Sequence, residues 1–368
     1  MLDKANKAVF STEGTSQQTS KVLFQEGDLT ISREHEFTAE IIKFLDDTTW
    51  GTTDTLYEHK KTEERVAQLQ DPVLATIRID GELGSMVVIE RRKLLVGGRE
   101  IKGYFFRYLV NQLPFRKRRL FGVYSQKVME LIVADELDEA LFYASVEAKN
   151  HRSQNFLRRL GYLEQATVST LGYSRFFPRR DPRMERVGSD EKEQVLQLLK
   201  KRYSQHALVH FSYIFQNDDY FVLKENGEII AGCQAHPATW VVKNIPGKLG
   251  GLFLRWVPYI PFVRSVFNPN NFKFLTFEGI YVKEGRERDL VKLFESILHH
   301  FPLKACLIWL DIKDPLYEKL VNIGRHGLMK NFVDNASIKI LAIPEKASEF
   351  TMEYLQSNPV YMSTFDFI

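Results

Sequence analysis

Asn150-His151-Arg152-Ser153-Gln154-Asn155-Phe156-Leu157-Arg158-Arg159-Leu160-Gly161-Tyr162 is the stretch on which the reading of this chain turns. It follows an apolar, β-prone run, Ala140 to Val146, and precedes a second strand-like run, Gln165 to Tyr173. Phe156, Leu157 and Leu160 recur at helical spacing, and Gly161 stands where a helix would stop. The segment therefore reads as strand, Asn at the strand end, short helix, Gly stop, strand. Taken alone, it is also what an ordinary strand-to-helix connection with a cap looks like.

The chain around it has 368 residues, long for one core, which predicts two domains. Hydrophobic residues at 44% and charged residues at 26% are ordinary for a soluble globular protein. Fifty Lys and Arg against 47 Asp and Glu leave a net charge of +3. That balance gives no global case for nucleic acid or membrane, so no nucleic-acid partner is expected and any electrostatic case must be local. The two cysteines, Cys233 and Cys306, lie far apart in apolar runs. They permit neither a disulfide framework nor a CxxC zinc pattern, and they predict buried thiols in a reducing, cytoplasmic setting. The N-terminus lacks a signal peptide's apolar core, and no run reaches the length of a membrane span.

Read in order, residues 1–20 are rich in Ser, Thr, Gln and Lys and predict a flexible tail. Phe37, Ile41, Ile42 and Leu45 predict a first amphipathic helix. Leu74 to Ile79 and Ser85 to Val96 predict a hairpin about Asp80 to Gly84, and Ile101 to Asn111 a third strand. Arg116 to Gly122 is a basic loop. Val123 to Ala134 is a helix with Tyr124, Val128, Leu131 and Ile132 on one face. Pro178, Pro182 and the charges around them mark a linker. The order then repeats: a helix from Val195, a hairpin about Glu225 to Gly227, a strand from Phe272 to Val282, a charged loop, a helix from Leu290 to Leu298, a strand from Ala305, and a helix from Leu316. An offset of about 160 residues between like elements predicts two copies of one fold. The boundaries expected are 1–20 for the tail, 21–178 for the first copy and 179–368 for the second.

Asn150, Ser153, Phe156 and Leu160-Gly161-Tyr162, set between two strands, resemble the fifth strand and following helix of the GNAT N-acetyltransferase superfamily. The resemblance covers residues 35 to 175, and more loosely 190 to 342. It implies an α/β protein of two GNAT-like domains, each a mixed central sheet flanked by helices. The first would bind acyl-coenzyme A and the second would lie on the acceptor side. The implied reaction is direct attack of an amine, on a small molecule or peptide, upon the thioester of acetyl-CoA or another acyl-CoA, with no metal. A catalytically inactive GNAT-like binding or scaffold protein is the alternative.

A coenzyme diphosphate held without metal needs backbone N–H groups at a helix N-terminus. The run in register is Arg116, Lys117, Arg118, Arg119, Leu120, Phe121 and Gly122, with Arg119 and Phe121 at the two positions where the superfamily carries small residues. Four basic groups can compensate by pairing with phosphate directly. A solvated basic loop, or a local nucleic-acid patch whose binding would fall steeply with salt, are the other readings. The resemblance further implies that the backbone at Val110 and Asn111 meets the pantetheine arm and polarises the thioester carbonyl. Asn150, Ser153 and Phe156 would face the coenzyme. Leu157 stands where many relatives carry the Tyr that protonates the leaving thiolate, and Tyr317 holds the like place in the second copy. Glu278 is the implied general base, or else a surface Glu on a strand. Arg286 to Val291, where a second diphosphate would sit, has no glycine and two carboxylates.

His206 and His210 have the spacing of metal ligands on a helix but lack a third ligand in sequence, so a structural pair is expected. Leu249 to Phe267 is an apolar, aromatic insertion interrupted by Pro258 and Pro261. It can bury between the copies, line an acceptor or acyl pocket, or touch a membrane surface.

Overall fold

The computed structural model describes residues 20–51, 55–112, 120–245, 250–333 and 336–368. The first half supplies strands β1 (Ser20–Glu26), β2 (Leu29–Glu34), β3 (Trp50–Gly51), β4 (Leu56–His59), β5 (Pro72–Ile79), β6 (Glu82–Val96), β7 (Arg99–Asn111), β8 (Ala140–Glu147) and β9 (Leu163–Ser174). The second supplies β10 (Met184–Arg186), β11 (Tyr220–Glu225), β12 (Glu228–Asn244), β13 (Phe272–Val282), β14 (Ala305–Asp311) and β15 (Ser337–Ile343). These join in one mixed sheet with the order β1-β2-β5-β6-β7-β8-β15-β9-β14-β13-β12-β11-β10, and β4 pairs with β3 and β12. Helices flank the sheet, as the α/β reading requires.

Both hairpins legible as Gly-containing turns are two-residue connections, Asp80-Gly81 and Asn226-Gly227, and Gly97-Gly98 is a third. All six residues have positive φ, which matches the right-handed twist of the flanking strands. The first turn is thus tighter than Asp80 to Gly84, and β6 starts at Glu82.

The two halves have several features of strand pairing in common. In each, a long hairpin leads to a strand that pairs in parallel with the next one, β7 with β8 and β13 with β14. In each, the register slips at a bulge: Tyr108 and Leu109 oppose Val87 alone, and Gly279 and Ile280 oppose Cys233 alone. Tyr108 and Gly279 both take positive φ there, 52° and 54°. Each half also sends its last strand across to the other. β15 lies between β8 and β9, and β9 lies between β15 and β14. The linker expected near 178 falls between β9 and β10, yet the halves share one sheet through this exchange.

A bulge bends and twists its strand away from the ladder, and here the bend opens the sheet. β7 and β8 pair from Lys102 with Ala140 to Phe106 with Ala144 and no further. Beyond that, Arg107 to Asn111 and Ser145 to Glu147 diverge. β13 and β14 pair only at Leu275 with Cys306 and Thr276 with Leu307. The second parting is closed by the chain's own residues 360–365. Val360 donates its N–H to Asp311 at the end of β14 at 2.8 Å. Ser363 donates to Glu278, and Thr364 to Thr276 at 3.1 Å, both on β13. The first parting is open.

Candidate functional site

The open parting is the mouth of a cavity of about 390 Å³. Asn150, Ser153 and Phe156 line it, as do Phe106 to Leu109 from β7 and Ala144 to Glu147 from β8. Asn150 is the N-cap of the helix His151–Arg159. Its side-chain oxygen accepts from the Ser153 N–H at 3.1 Å, and it leaves the strand end with non-helical backbone. Gln154 secures the same corner by donating to the carbonyls of Glu147 and Ala148 at 3.1 and 2.8 Å. Leu157 and Tyr162 are buried in one core cluster and line the cavity beside Ser153 and Phe156.

Val110 and Asn111 are buried on β7 just past the wall residue Leu109. Arg116, Lys117, Arg118 and Arg119 lie outside the described residues. Leu120, Phe121 and Gly122 open the helix Leu120–Asp135, whose Ser125, Val128 and Met129 line the cavity. In chain order this helix follows β7 and precedes β8.

Glu278 and Tyr317 are not brought to this cavity. Glu278 is buried in the second half, where its carboxylate accepts from Ser363 and lies 3.3 Å from His236. Burial works to raise its pKa, and His236, Ser363 and His210 outweigh that, holding it below the usual carboxylate value. Tyr317 is half-buried on the helix Pro315–Ile323 against the core of the second half. The charged run at Arg286 is engaged internally: Asp289 pairs with Arg183 at 2.9 Å, Arg286 at 2.6 Å and Lys292 at 3.2 Å.

Sequence reasoning did not single out Glu147, Tyr57 or His59, all of which line the cavity. Tyr57 donates its hydroxyl to Glu147 at 3.2 Å. Burial raises the Glu147 pKa, and the Tyr57 hydrogen bond only partly offsets this. His59 Nδ1 lies 2.9 Å from Arg65 Nη1. A guanidinium can only donate, so His59 must accept there and carry its proton on Nε2. Burial, then Arg65 and Arg107, hold the ring neutral by pushing its pKa well below 6.5.

Behind the cavity lies a buried ionic cluster that joins both halves. Arg92 binds Asp366 through two hydrogen bonds, 2.8 and 2.5 Å, and lies 2.9 Å from Glu90. Arg107 reaches Glu90 at 3.3 Å and Asp366 at 3.6 Å. Asp366, Phe367 and Ile368 line the cavity, so the segment that closes the second parting also walls the first.

His206 and His210 are not on a helix. The helix Lys192–Arg202 ends before them, and after it Ala207 bridges Val360 and Val209 bridges Leu95, with a left-handed bend at Leu208 between the two bridges. His206 lies 3.1 Å from Asp314 and His210 3.1 Å from Arg92, far from a shared ligand geometry. Among the described residues no group of three or more His, Cys, Asp or Glu could hold a metal. Burial and then Arg92 lower the His210 pKa to about 3. The unfolded chain takes up that proton near 6.5, so His210 should erode stability as pH falls from about 6.5 towards 3. Urea unfolding across that range should show the loss, and His210→Gln should flatten it.

The fold is GNAT-like, and comparison with solved structures agrees. Saccharomyces cerevisiae N-myristoyltransferase with bound myristoyl-CoA matches at 8% identity over 93% of this chain and 87% of that chain, with a TM-score of 0.58. A second structure of that enzyme with bound myristoyl-CoA matches at 8% identity over 88% and 80%, TM-score 0.57. A conserved Enterococcus faecalis V583 protein described as a probable N-acyltransferase aligns at 12% identity over 85% and 72%, with a TM-score of 0.48. No family model and no curated protein matches the sequence.

Proposed function

We propose that this chain transfers an acyl group from acyl-coenzyme A to an amine. The observation that supports it most is the open parting of β7 and β8, walled by Asn150, Ser153 and Phe156. A pantetheine arm laid there would take the place beside β7 that β8 gives up where the two strands diverge. The diphosphate would rest at the start of the helix Leu120–Asp135, against Arg116 to Arg119. The amine's lone pair attacks the thioester carbonyl carbon, its proton passes to Glu147, and the coenzyme leaves as the thiolate. Glu147 is assigned the base role expected of Glu278, because it is the carboxylate that reaches the cavity beside the helix cap. Tyr317, expected to protonate the thiolate, stands in the second half and is assigned no step.

Acetyl is the donor the sequence motifs suggest. A longer chain has its own support: Ala75, Ile77, Met86, Val87, Val128 and Met129 give the cavity an apolar inner wall longer than one methyl group needs. The yeast enzyme of like fold holds myristoyl-CoA. A thermal-shift series from acetyl-CoA to myristoyl-CoA tests both readings. Saturable stabilisation that grows with chain length is the expected result, and no shift with any acyl-CoA would leave the non-catalytic scaffold. Arg116→Glu with Arg118→Glu should weaken binding about tenfold or more, since each site loses a charge-assisted bond to phosphate. Unchanged affinity would reject that loop as the phosphate cradle.

A further inference from the structure

The insertion before β13 folds as a helix, Gly250–Trp256, a turn, Val257–Tyr259, and a second helix, Pro261–Val266. One side packs inward: Val257, Val266 and Phe267 are buried, and Phe253, Leu254 and Val263 rest on the same core. The solvent side of such an element should be polar. Here it is not. Leu252, Trp256, Tyr259, Ile260 and Phe262 are 53, 58, 77, 45 and 66% exposed. The Phe262 ring meets Phe176 edge-on at 6.3 Å, which carries the patch onto the segment after β9, where Phe177 is 75% exposed. A contiguous apolar surface of this kind marks an interaction site.

Its charges are of one sign. From Gly250 to Lys273 the sequence holds Arg255, Arg264 and Lys273 and no carboxylate, and all three are exposed. Arg179 and Arg180 are exposed beside Phe177, whose ring has the Lys304 ammonium at 5.7 Å. Glu295, which accepts from the Arg179 N–H, is already paired with Arg175 at 3.2 Å. A second copy of the chain placed face to face would set these cations against each other. A sheet of lipid phosphates would not. Trp and Tyr prefer the boundary between headgroup and hydrocarbon, and Arg and Lys beside them pair with anionic headgroups.

We infer that this face docks on the surface of a bilayer carrying anionic lipids. No helix among the described residues is long and apolar enough to cross a membrane, so the attachment is peripheral. Docking would bring the active cavity close to the lipid. Phe332 lines the cavity and stacks on Phe267 at 4.6 Å, with Phe253 at 5.5 Å, so one layer of rings separates the docked face from the cavity wall. The inference stands without the acyl-transfer reading, because neither the patch nor its charge depends on coenzyme binding.

Flotation of the full chain with vesicles tests it. Binding is expected to phosphatidylcholine vesicles that contain phosphatidylglycerol, weakening as salt rises, and little to phosphatidylcholine alone. Arg255→Glu with Arg264→Glu should lower binding to the anionic vesicles about tenfold or more. Trp256→Ser with Phe262→Ser should lower it similarly, with thermal unfolding little changed because both side chains are more than half exposed. Absence of binding to anionic vesicles, or binding untouched by both pairs, overturns the inference. So does a dimer in light scattering that both pairs dissolve, since a second copy would then cover this face.

Discussion

Asp366→Ala is expected to cost about 3–5 kcal/mol of stability, the range for removing one partner of a buried ion pair. The side chains of Arg92, Glu90 and Asp366 are wholly buried and that of Arg107 nearly so. In the intact protein two guanidinium groups face two carboxylates, and each charge is hydrogen-bonded. Burial works to lower the Arg92 pKa, yet Asp366 and Glu90 hold it well above its ordinary value. Without Asp366 the cluster keeps two buried cations and one anion, and neither arginine can shed its proton near neutral pH. The loss should appear in urea unfolding as a lower midpoint with an unchanged slope. Asp366→Asn, which keeps an acceptor for one Arg92 bond, should cost less. Replacing all four residues by well-packed apolar ones could recover most of the loss, because the desolvation of every charge is then avoided. A cost below about 1 kcal/mol for Asp366→Ala would mean that water enters the cluster freely. The same substitution has a second consequence. Asp366 anchors the segment that fills the β13–β14 parting and walls the cavity, so acyl-CoA binding should fall even at temperatures where the protein stays folded.

What was legible in the chain was local. Asn150 caps, Gly161 stops and the flanking runs are strands because each of these depends on a few neighbouring residues, and the same holds for the Gly-containing hairpins. The bulge that opens the sheet was half legible. Gly279 signals a left-handed residue, but its counterpart Tyr108 carries no such mark, and only the pairing of β6 with β7 reveals it. The crossing of β15 between β8 and β9 was not legible. A β-prone run states that it will pair but not with what, and its partners lie far away along the chain. His206 and His210 misled for the same reason: spacing alone suggests a helix, whereas bridges to Val360 and Leu95 on either side of a bend at Leu208 hold that stretch out of one. Glu147, Tyr57 and His59 belong to no motif and come from β8 and β4, which only the folded sheet brings to one cavity. Glu278 looked well placed on its strand, and the folded chain fills the opening between β13 and β14 with its own residues 360–365.

Glu147→Gln should lower kcat by about 10² to 10⁴-fold, the usual contribution of a positioned general base, while acyl-CoA still binds. An acceptor amine must lose a proton as it attacks, and a carboxylate whose pKa is raised by burial is better matched to that task than an exposed one. The sign follows from the same shift. The base works only when ionised, so kcat/KM should rise with pH through the Glu147 pKa, and that limb should lie above the ordinary carboxylate value of 4.5. Tyr57 supplies the check on assignment. Its hydroxyl donates to Glu147 and favours the charged form, so Tyr57→Phe should move the acid limb to higher pH and leave the plateau rate less affected. A residue that merely braced the wall would change affinity or stability without moving the limb. If Glu147→Gln instead keeps kcat within a few-fold and raises only KM, Glu147 positions the acceptor and the proton leaves by another route. His59 is excluded from the base role by its own bonding, since Arg65 occupies its acceptor nitrogen and its remaining nitrogen already carries a proton. Among the described side chains Asp366 also brings a carboxylate to the cavity wall, and that one is held by Arg92 through two hydrogen bonds. Both oxygens of Asp366 are taken up by that pairing, which is why the larger effect is assigned to Glu147.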